Sequence, residues 1–174
     1  MTELINVETC FIKTKVENHN EIKQLLLEQI ESMGTHNIIE PNQSISNTDW
    51  HLGPHCTRPY SQLFNDIANN HVLKVKEILL LNEKLSIINF WFQQYKKNDF
   101  HDYHIHGSCL YTNIYYVDLP ENSSKTSFKF LDREFEINVK EGDILTIPSC
   151  YMHCSKPNQS NYTKTVISFN INDD

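Results

Sequence analysis

The chain has 174 residues, with Lys+Arg 15 against Asp+Glu 22 and a formal net charge of −7. That length suffices for one well-packed domain and falls short of two ordinary ones. Hydrophobic residues at 39% and aromatic residues at 11% supply the core that a disordered chain lacks. With an acidic balance and no block of Lys or Arg, the chain lacks the counterion-release contribution on which nucleic-acid affinity rests, which argues against such a partner.

The longest apolar run, Ile78 to Leu81, is far below the roughly 18 residues of a membrane span, and Met1-Thr2-Glu3-Leu4 has no basic stretch leading into an apolar one. The expectation is a cytoplasmic protein with no membrane partner. Five cysteines, Cys10, Cys56, Cys109, Cys150 and Cys154, are scattered without a CxxC pair. They fit reduced thiols better than a disulfide framework or a set of metal ligands.

In chain order, Cys10 to Val16 alternates apolar and polar residues and predicts a strand. Asn20 can then cap a helix whose Ile22, Leu25, Leu26, Gln29 and Ile30 fall at helical spacing, with Gly34 ending it. Thr35 to Gly53, rich in Asn, Ser and Thr, reads as loose and as a possible cover for an active-site mouth around Asn42 to Trp50. A second helix follows Pro59 through Leu63, Ile67, Val75, Ile78 and Leu79, with a break at Asn69-Asn70. From Ser86 on, the pattern turns to short β-branched and aromatic runs: Ile87 to Tyr95, Leu110 to Val117, Ser127 to Leu131, Phe135 to Val139, Ile144 to Ile147 and Thr163 to Ile171. Glu121 to Lys125 and Glu141-Gly142-Asp143 supply turns. The expectation is a single domain over 1–174, mainly β with flanking helices. Residues 1–85 form a helical or mixed support, and residues 86–174 form a jelly-roll, cupin-like core.

His104-Ile105-His106 places two imidazoles just before a strand, and extended geometry points residues i and i+2 to the same side. His153 follows the strand Ile144 to Ile147 and can return beside them, giving three metal ligands with open positions left over. Such a site suits Fe(II), Zn(II), Cu or Ni. Among nine histidines, His19, His36, His51, His55 and His71 read as ordinary core or surface residues. His101 and Asp102, just upstream of the pair, are candidates either to support it from outside, Asp102 by offsetting the charge of a metal, or to be solvated loop residues, and the loop reading is favoured. Trp91, Phe90 and Phe92 read as core, and Gly107-Ser108 as a turn after the metal loop.

Together, Tyr95 to His106, Leu110 to Val117, Glu141 to Ser149 leading to His153, and Lys164 to Asn170 closing with Ile167-Ser168-Phe169-Asn170 resemble the core of the 2-oxoglutarate and Fe(II)-dependent oxygenases. The likeness is nearest to small members found in phages and marine bacteria and related to prolyl hydroxylases. It spans roughly Ile87 to Ile171. The resemblance implies a double-stranded β-helix and a dioxygenase that hydroxylates a peptidyl residue or small metabolite with O2, releasing succinate and CO2, in a bacterial or phage-infected cytoplasm. It implies Fe(II) held by His104, His106 and His153, the catalytic set, although His106 stands where the superfamily usually has a carboxylate.

By the same resemblance, Lys164, eleven residues after His153, takes the place of the basic residue that holds the far carboxylate of 2-oxoglutarate. Val166 and Ser168 share its face. Tyr95 and Tyr116 resemble co-substrate-gripping tyrosines, and Thr112, with Asn113, is a further polar candidate. Two alternatives stand: a cupin-type three-histidine dioxygenase or isomerase that uses no 2-oxoacid, and a non-catalytic jelly-roll binding protein. Substrate and oligomeric state are not legible.

Overall fold

The computed structural model describes residues 9–53 and 56–173. Met1-Thr2-Glu3-Leu4 and His55 lie outside the described residues. Along the chain run β1 (Ile12–Lys15), α1 (His19–Glu31), β2 (Ile38–Glu40), β3 (Gln43–Ile45), β4 (Asn47–Thr48) and α2 (Ser61–Leu79). They are followed by β5 (Leu85–Tyr95), β6 (Phe100–His104), β7 (Tyr111–Asp118), β8 (Thr126–Phe130), β9 (Arg133–Glu136), β10 (Asp143–Pro148), β11 (Met152–Ser155) and β12 (Lys164–Asp173).

The strands form two six-stranded sheets, ordered β1-β10-β7-β12-β5-β4 and β2-β3-β6-β11-β8-β9. From β5 onward the chain steps from one sheet to the other at every connection except the β8–β9 hairpin. That alternation is the double-stranded β-helix, or jelly roll, expected from the sequence.

Side-chain parity on the first sheet decides where the site forms. Odd positions of β7 and β12, Tyr115, Val117, Ile167, Phe169 and Ile171, pack with Leu26 and Ile30 of α1 and Phe64, Val72 and Val75 of α2. Even positions, Ile114, Tyr116 and Val166, join Phe128 of the second sheet and Ile45 in a second cluster. The sheet is thus covered on both faces, which is why β7 and β12 are buried almost throughout. Burying these apolar faces is the main stabilising contribution, at roughly 25 cal/mol per Å² removed from water.

Several expectations shift. The helix after Pro59 is continuous through Asn69-Asn70, because those residues sit on its exposed face while Ala68, His71 and Val72 are buried. Helix α1 starts at His19, with Asn18 rather than Asn20 at its cap position. The buried His19 ring meets the Tyr115 hydroxyl at 2.7 Å. Leu25, placed on the apolar face by spacing, is 48% exposed. The loose segment Thr35 to Gly53 holds β2, β3 and β4, and the run Phe135 to Val139 pairs as Arg133–Glu136.

Gly142 is needed where it stands: its φ is +85°, and a Cβ there would come within 2.9 Å of the His19 ring. His71 is an interior tie, as its ordinary reading implies. Its Nδ1 meets Thr14 Oγ1 at 2.7 Å and its Nε2 meets Thr146 Oγ1 at 2.7 Å, joining α2 to β1 and β10. Among the described residues no helix is long and apolar enough to cross a membrane.

Candidate metal centre

His153 and His104 are register partners on adjacent antiparallel strands, β11 and β6, and their ring centres lie 4.4 Å apart. His106 lies two residues beyond the end of β6, and its backbone N–H donates to the Ser149 carbonyl at 3.1 Å. Its ring centre is 5.3 Å from that of His104 and 5.2 Å from that of His153. One ligand atom from each of the three histidines lies within 4.8 Å of the others. The expected HxH pair and the distal histidine therefore meet. His104 ends a strand, however, instead of preceding one.

Hydrogen bonds fix which nitrogen each ring can offer. His104 Nδ1 lies 2.8 Å from the Asp102 carbonyl and His153 Nδ1 lies 2.9 Å from the Tyr151 carbonyl. Carbonyls only accept, so both Nδ1 atoms carry the proton. His106 Nδ1 meets Asn170 Oδ1 at 3.0 Å. All three Nε2 lone pairs are left for a cation, the arrangement in which outer partners orient metal-binding imidazoles.

Burial pushes the His153 pKa down to about 3 and that of His106 down to about 4, with mutual repulsion in the cluster adding to it, and burial lowers that of His104 too. Three neutral imidazoles at neutral pH are a ligand set ready for a divalent ion. Among the described residues no carboxylate joins the cluster. Asp102, a candidate for offsetting the charge, is exposed, and its Oδ1 accepts from the Tyr103 N–H.

The cluster opens into a cavity of about 730 Å³ between the two sheets. Lys164 stands inside it at 3% exposure, and the exposed strand-end lysine is thereby excluded. Its Nζ donates to Ser155 Oγ at 2.6 Å and to the Ser124 carbonyl at 3.1 Å, and lies 4.3 Å from the centre of the Tyr95 ring. Burial pulls its pKa down to about 7. No carboxylate among the described residues pairs with it.

Tyr95, Tyr116, Thr112 and Ser168 also line this cavity. The Tyr116 hydroxyl is committed to Thr126 Oγ1 at 2.7 Å, and Thr112 Oγ1 donates to Asn170 Oδ1 at 2.7 Å. Ser168 Oγ lies 3.4 Å from Gln93 Oε1. Cys154 lines the cavity without joining the metal cluster, and Cys150 is exposed.

Neither a family model nor a curated protein matches the sequence. Solved structures do. The viral collagen prolyl hydroxylase of Paramecium Bursaria Chlorella virus-1, solved with 2-oxoglutarate, superposes with a TM-score of 0.65 at 14% identity, covering 91% of this chain and 94% of its own. A 2OG-Fe(II) oxygenase family oxidoreductase from Burkholderia pseudomallei gives 0.70 at 7% identity, covering 93% and 84%. A Trichoplax adhaerens prolyl hydroxylase, in complex with a hypoxia inducible factor peptide fragment, gives 0.67 at 13%, covering 94% and 83%. The chain has the fold of the 2-oxoglutarate and Fe(II) oxygenases.

Within this oxygenase fold, three residues around the site escape sequence reasoning. Asn170 continues the face of Lys164, Val166 and Ser168 by two more positions, so the parity that placed Ser168 would also have found it. His101, read as loop, lies in β6 with its ring centre 3.9 Å from that of His104. Trp91, read as plain core, is a cavity wall whose indole stacks on His106 at 5.9 Å and 14°. Trp50 stacks in turn on Trp91 at 6.2 Å.

The Trp50 loop is pinned by its neighbour Asp49, which is fully buried. Asp49 accepts from Arg58 Nε and the Tyr60 hydroxyl at 2.7 Å each and from the Phe92 N–H at 2.8 Å. No local sequence signal marks that carboxylate, because its partners come from two other elements.

Proposed function

We propose that this chain is an Fe(II)- and 2-oxoglutarate-dependent dioxygenase that hydroxylates a small-molecule or peptidyl substrate. The observation that carries the reading is a buried ammonium with no carboxylate partner sharing one cavity with three oriented imidazoles. A buried cation without an anion is costly unless a ligand supplies one, and a dianionic co-substrate does so. In this reading His104, His106 and His153 hold Fe(II) through Nε2, and Lys164 holds the far carboxylate of 2-oxoglutarate.

When bound, the iron and its co-substrate supply oxidative decarboxylation to succinate and CO2 and, with O2, oxidation of a substrate C–H bond. The protein's own part is placement and exclusion of water. The Asp102 and Tyr151 carbonyls and Asn170 fix the imidazoles. Ser155 and Ser124 hold the ammonium head of Lys164, and Tyr95 and Tyr116 wall the inner end of the cavity. The likeness to structures solved with 2-oxoglutarate supports the reading at the level of fold.

Succinate formation that requires both Fe(II) and 2-oxoglutarate is the expected outcome, and succinate that does not depend on both overturns it. One observation favours a second reading: His106 takes the place of a carboxylate, as in three-histidine dioxygenases that use no 2-oxoacid. Oxygen uptake that persists in the absence of any 2-oxoacid selects that reading instead.

A further inference from the structure

Two polar atoms on residues that line the cavity have no hydrogen-bond partner among the described residues. Trp91 Nε1, a donor only, and Gln43 Oε1, an acceptor only, are both buried without a hydrogen bond. Their residues are 8% and 6% exposed, and both line the cavity. The Gln43 amide is oriented by its other end, since Nε2 donates to Glu40 Oε2 at 2.7 Å. Trp91 belongs to β5 of one sheet and Gln43 to β3 of the other, so the unsatisfied donor and acceptor stand on opposite walls. Leaving each unpaired carries the desolvation cost of a buried polar group.

The surroundings restrict what can pair with them. Among the described residues no Asp or Glu side chain lines the cavity. Its two cations are Lys164 at the inner end and Arg58, which is already paired with Asp49 at 2.7 Å. The mouth carries exposed apolar side chains instead: Trp50 at 45%, Ile88 at 46% and Ile105 at 54%. A free amino acid would bring an ammonium and a carboxylate to a mouth with no free countercharge. A neutral secondary amide brings one acceptor and one donor.

We propose that the cavity mouth binds its substrate through a neutral secondary amide, a peptide bond. Its carbonyl accepts from Trp91 Nε1, its N–H donates to Gln43 Oε1, and the exposed Trp50 ring moves off Trp91 to admit it. The substrate class is therefore peptidyl, and zwitterionic amino acids are rejected. This rests on the oxygenase reading for what lies on the metal side, while the clamp itself is a binding site that needs no turnover to be seen.

The chain has two tryptophans, Trp50 and Trp91, beside eight tyrosines, so tryptophan emission, excited at the red edge where tyrosine does not absorb, reports on this mouth. The full chain with Mn(II) and 2-oxoglutarate is titrated with the N-methylamides of N-acetyl-leucine, N-acetyl-phenylalanine and N-acetyl-proline, each of which carries a secondary amide, and with the three free amino acids. Saturable change in emission with the blocked amides, at least about tenfold tighter than with the free amino acids, is the expected result. Trp91→Phe, which keeps the ring and loses the N–H, and Gln43→Met each weaken amide binding about three- to tenfold.

Should either variant fold poorly, the wild-type chain carries the same test, because N-acetyl-N-methyl-leucine dimethylamide keeps both carbonyls, has no N–H, and binds correspondingly weaker. Free amino acids, or the dimethylamide, binding as tightly as the blocked amides overturns the clamp. Amide binding that persists in protein forming no succinate supports the clamp and counts against the oxygenase reading. Succinate formation with no response to any amide overturns the clamp and leaves that reading standing.

Discussion

Lys164 stands directly opposite Tyr95 in the ladder between β12 and β5, with its Nζ 4.3 Å from the centre of the tyrosine ring. The ammonium is thereby held between an aromatic face and two serines, in a cavity that offers it no anion.

Replacing this residue separates binding from stability. Lys164→Met keeps most of the stem and removes the charge. The KM for 2-oxoglutarate is expected to rise about 10- to 150-fold, the range for a hydrogen bond to a charged group. The variant should be no less stable to urea than the wild type, because a buried unpaired charge has been replaced by an apolar group. Unchanged KM removes Lys164 from the co-substrate site.

Because burial lowers the Lys164 pKa from 10.5 to about 7, the unfolded chain binds more protons than the folded one between those values. Stability contributed by this group therefore rises with pH from about 7 upward, and any advantage of Lys164→Met should shrink over the same interval. Its titratable neighbours Tyr95 and Cys154 are themselves shifted up by burial. A bound dianion favours the ammonium, so 2-oxoglutarate binding should take up a proton above about pH 7 and almost none near pH 6. Calorimetry in two buffers of different ionisation enthalpy measures the uptake, and a pH-independent result contradicts the assignment.

Metal affinity should depend on Asn170 as well as on the histidines. His153→Ala removes one of three ligands and is expected to abolish stoichiometric metal binding. Asn170→Ala leaves the ligands and frees His106 Nδ1 from its acceptor, and should weaken binding about 10- to 100-fold. Titration of the metal-free chain with Mn(II), followed by electron paramagnetic resonance, reads both. Equal affinity in Asn170→Ala and wild type shows that His106 needs no outer partner.

Asp49 ties the Trp50 loop to α2 and β5. Asp49→Ala leaves the Arg58 guanidinium without its partner and the Phe92 N–H and Tyr60 hydroxyl unsatisfied. A loss of about 3–5 kcal/mol is expected, the cost of breaking a buried ion pair from one side. Thermal or urea unfolding measures it. A loss below about 1 kcal/mol would mean that water replaces the carboxylate.

The candidate metal and co-substrate residues were legible because they are local or periodic. The HxH pair sets two imidazoles on one side, and alternation along β12 carries Lys164 and Ser168 onto the face that Asn170 completes. Strand composition likewise announced a jelly roll in the second half of the chain. Hydrogen-bonding partners were not legible. The register that sets His153 against His104, the Asn170 amide that meets His106, and the packing of Trp50 on Trp91 join positions tens of residues apart. A one-dimensional pattern records what a side chain can offer, and only the closure of two sheets decides which groups are left facing one another without water between them.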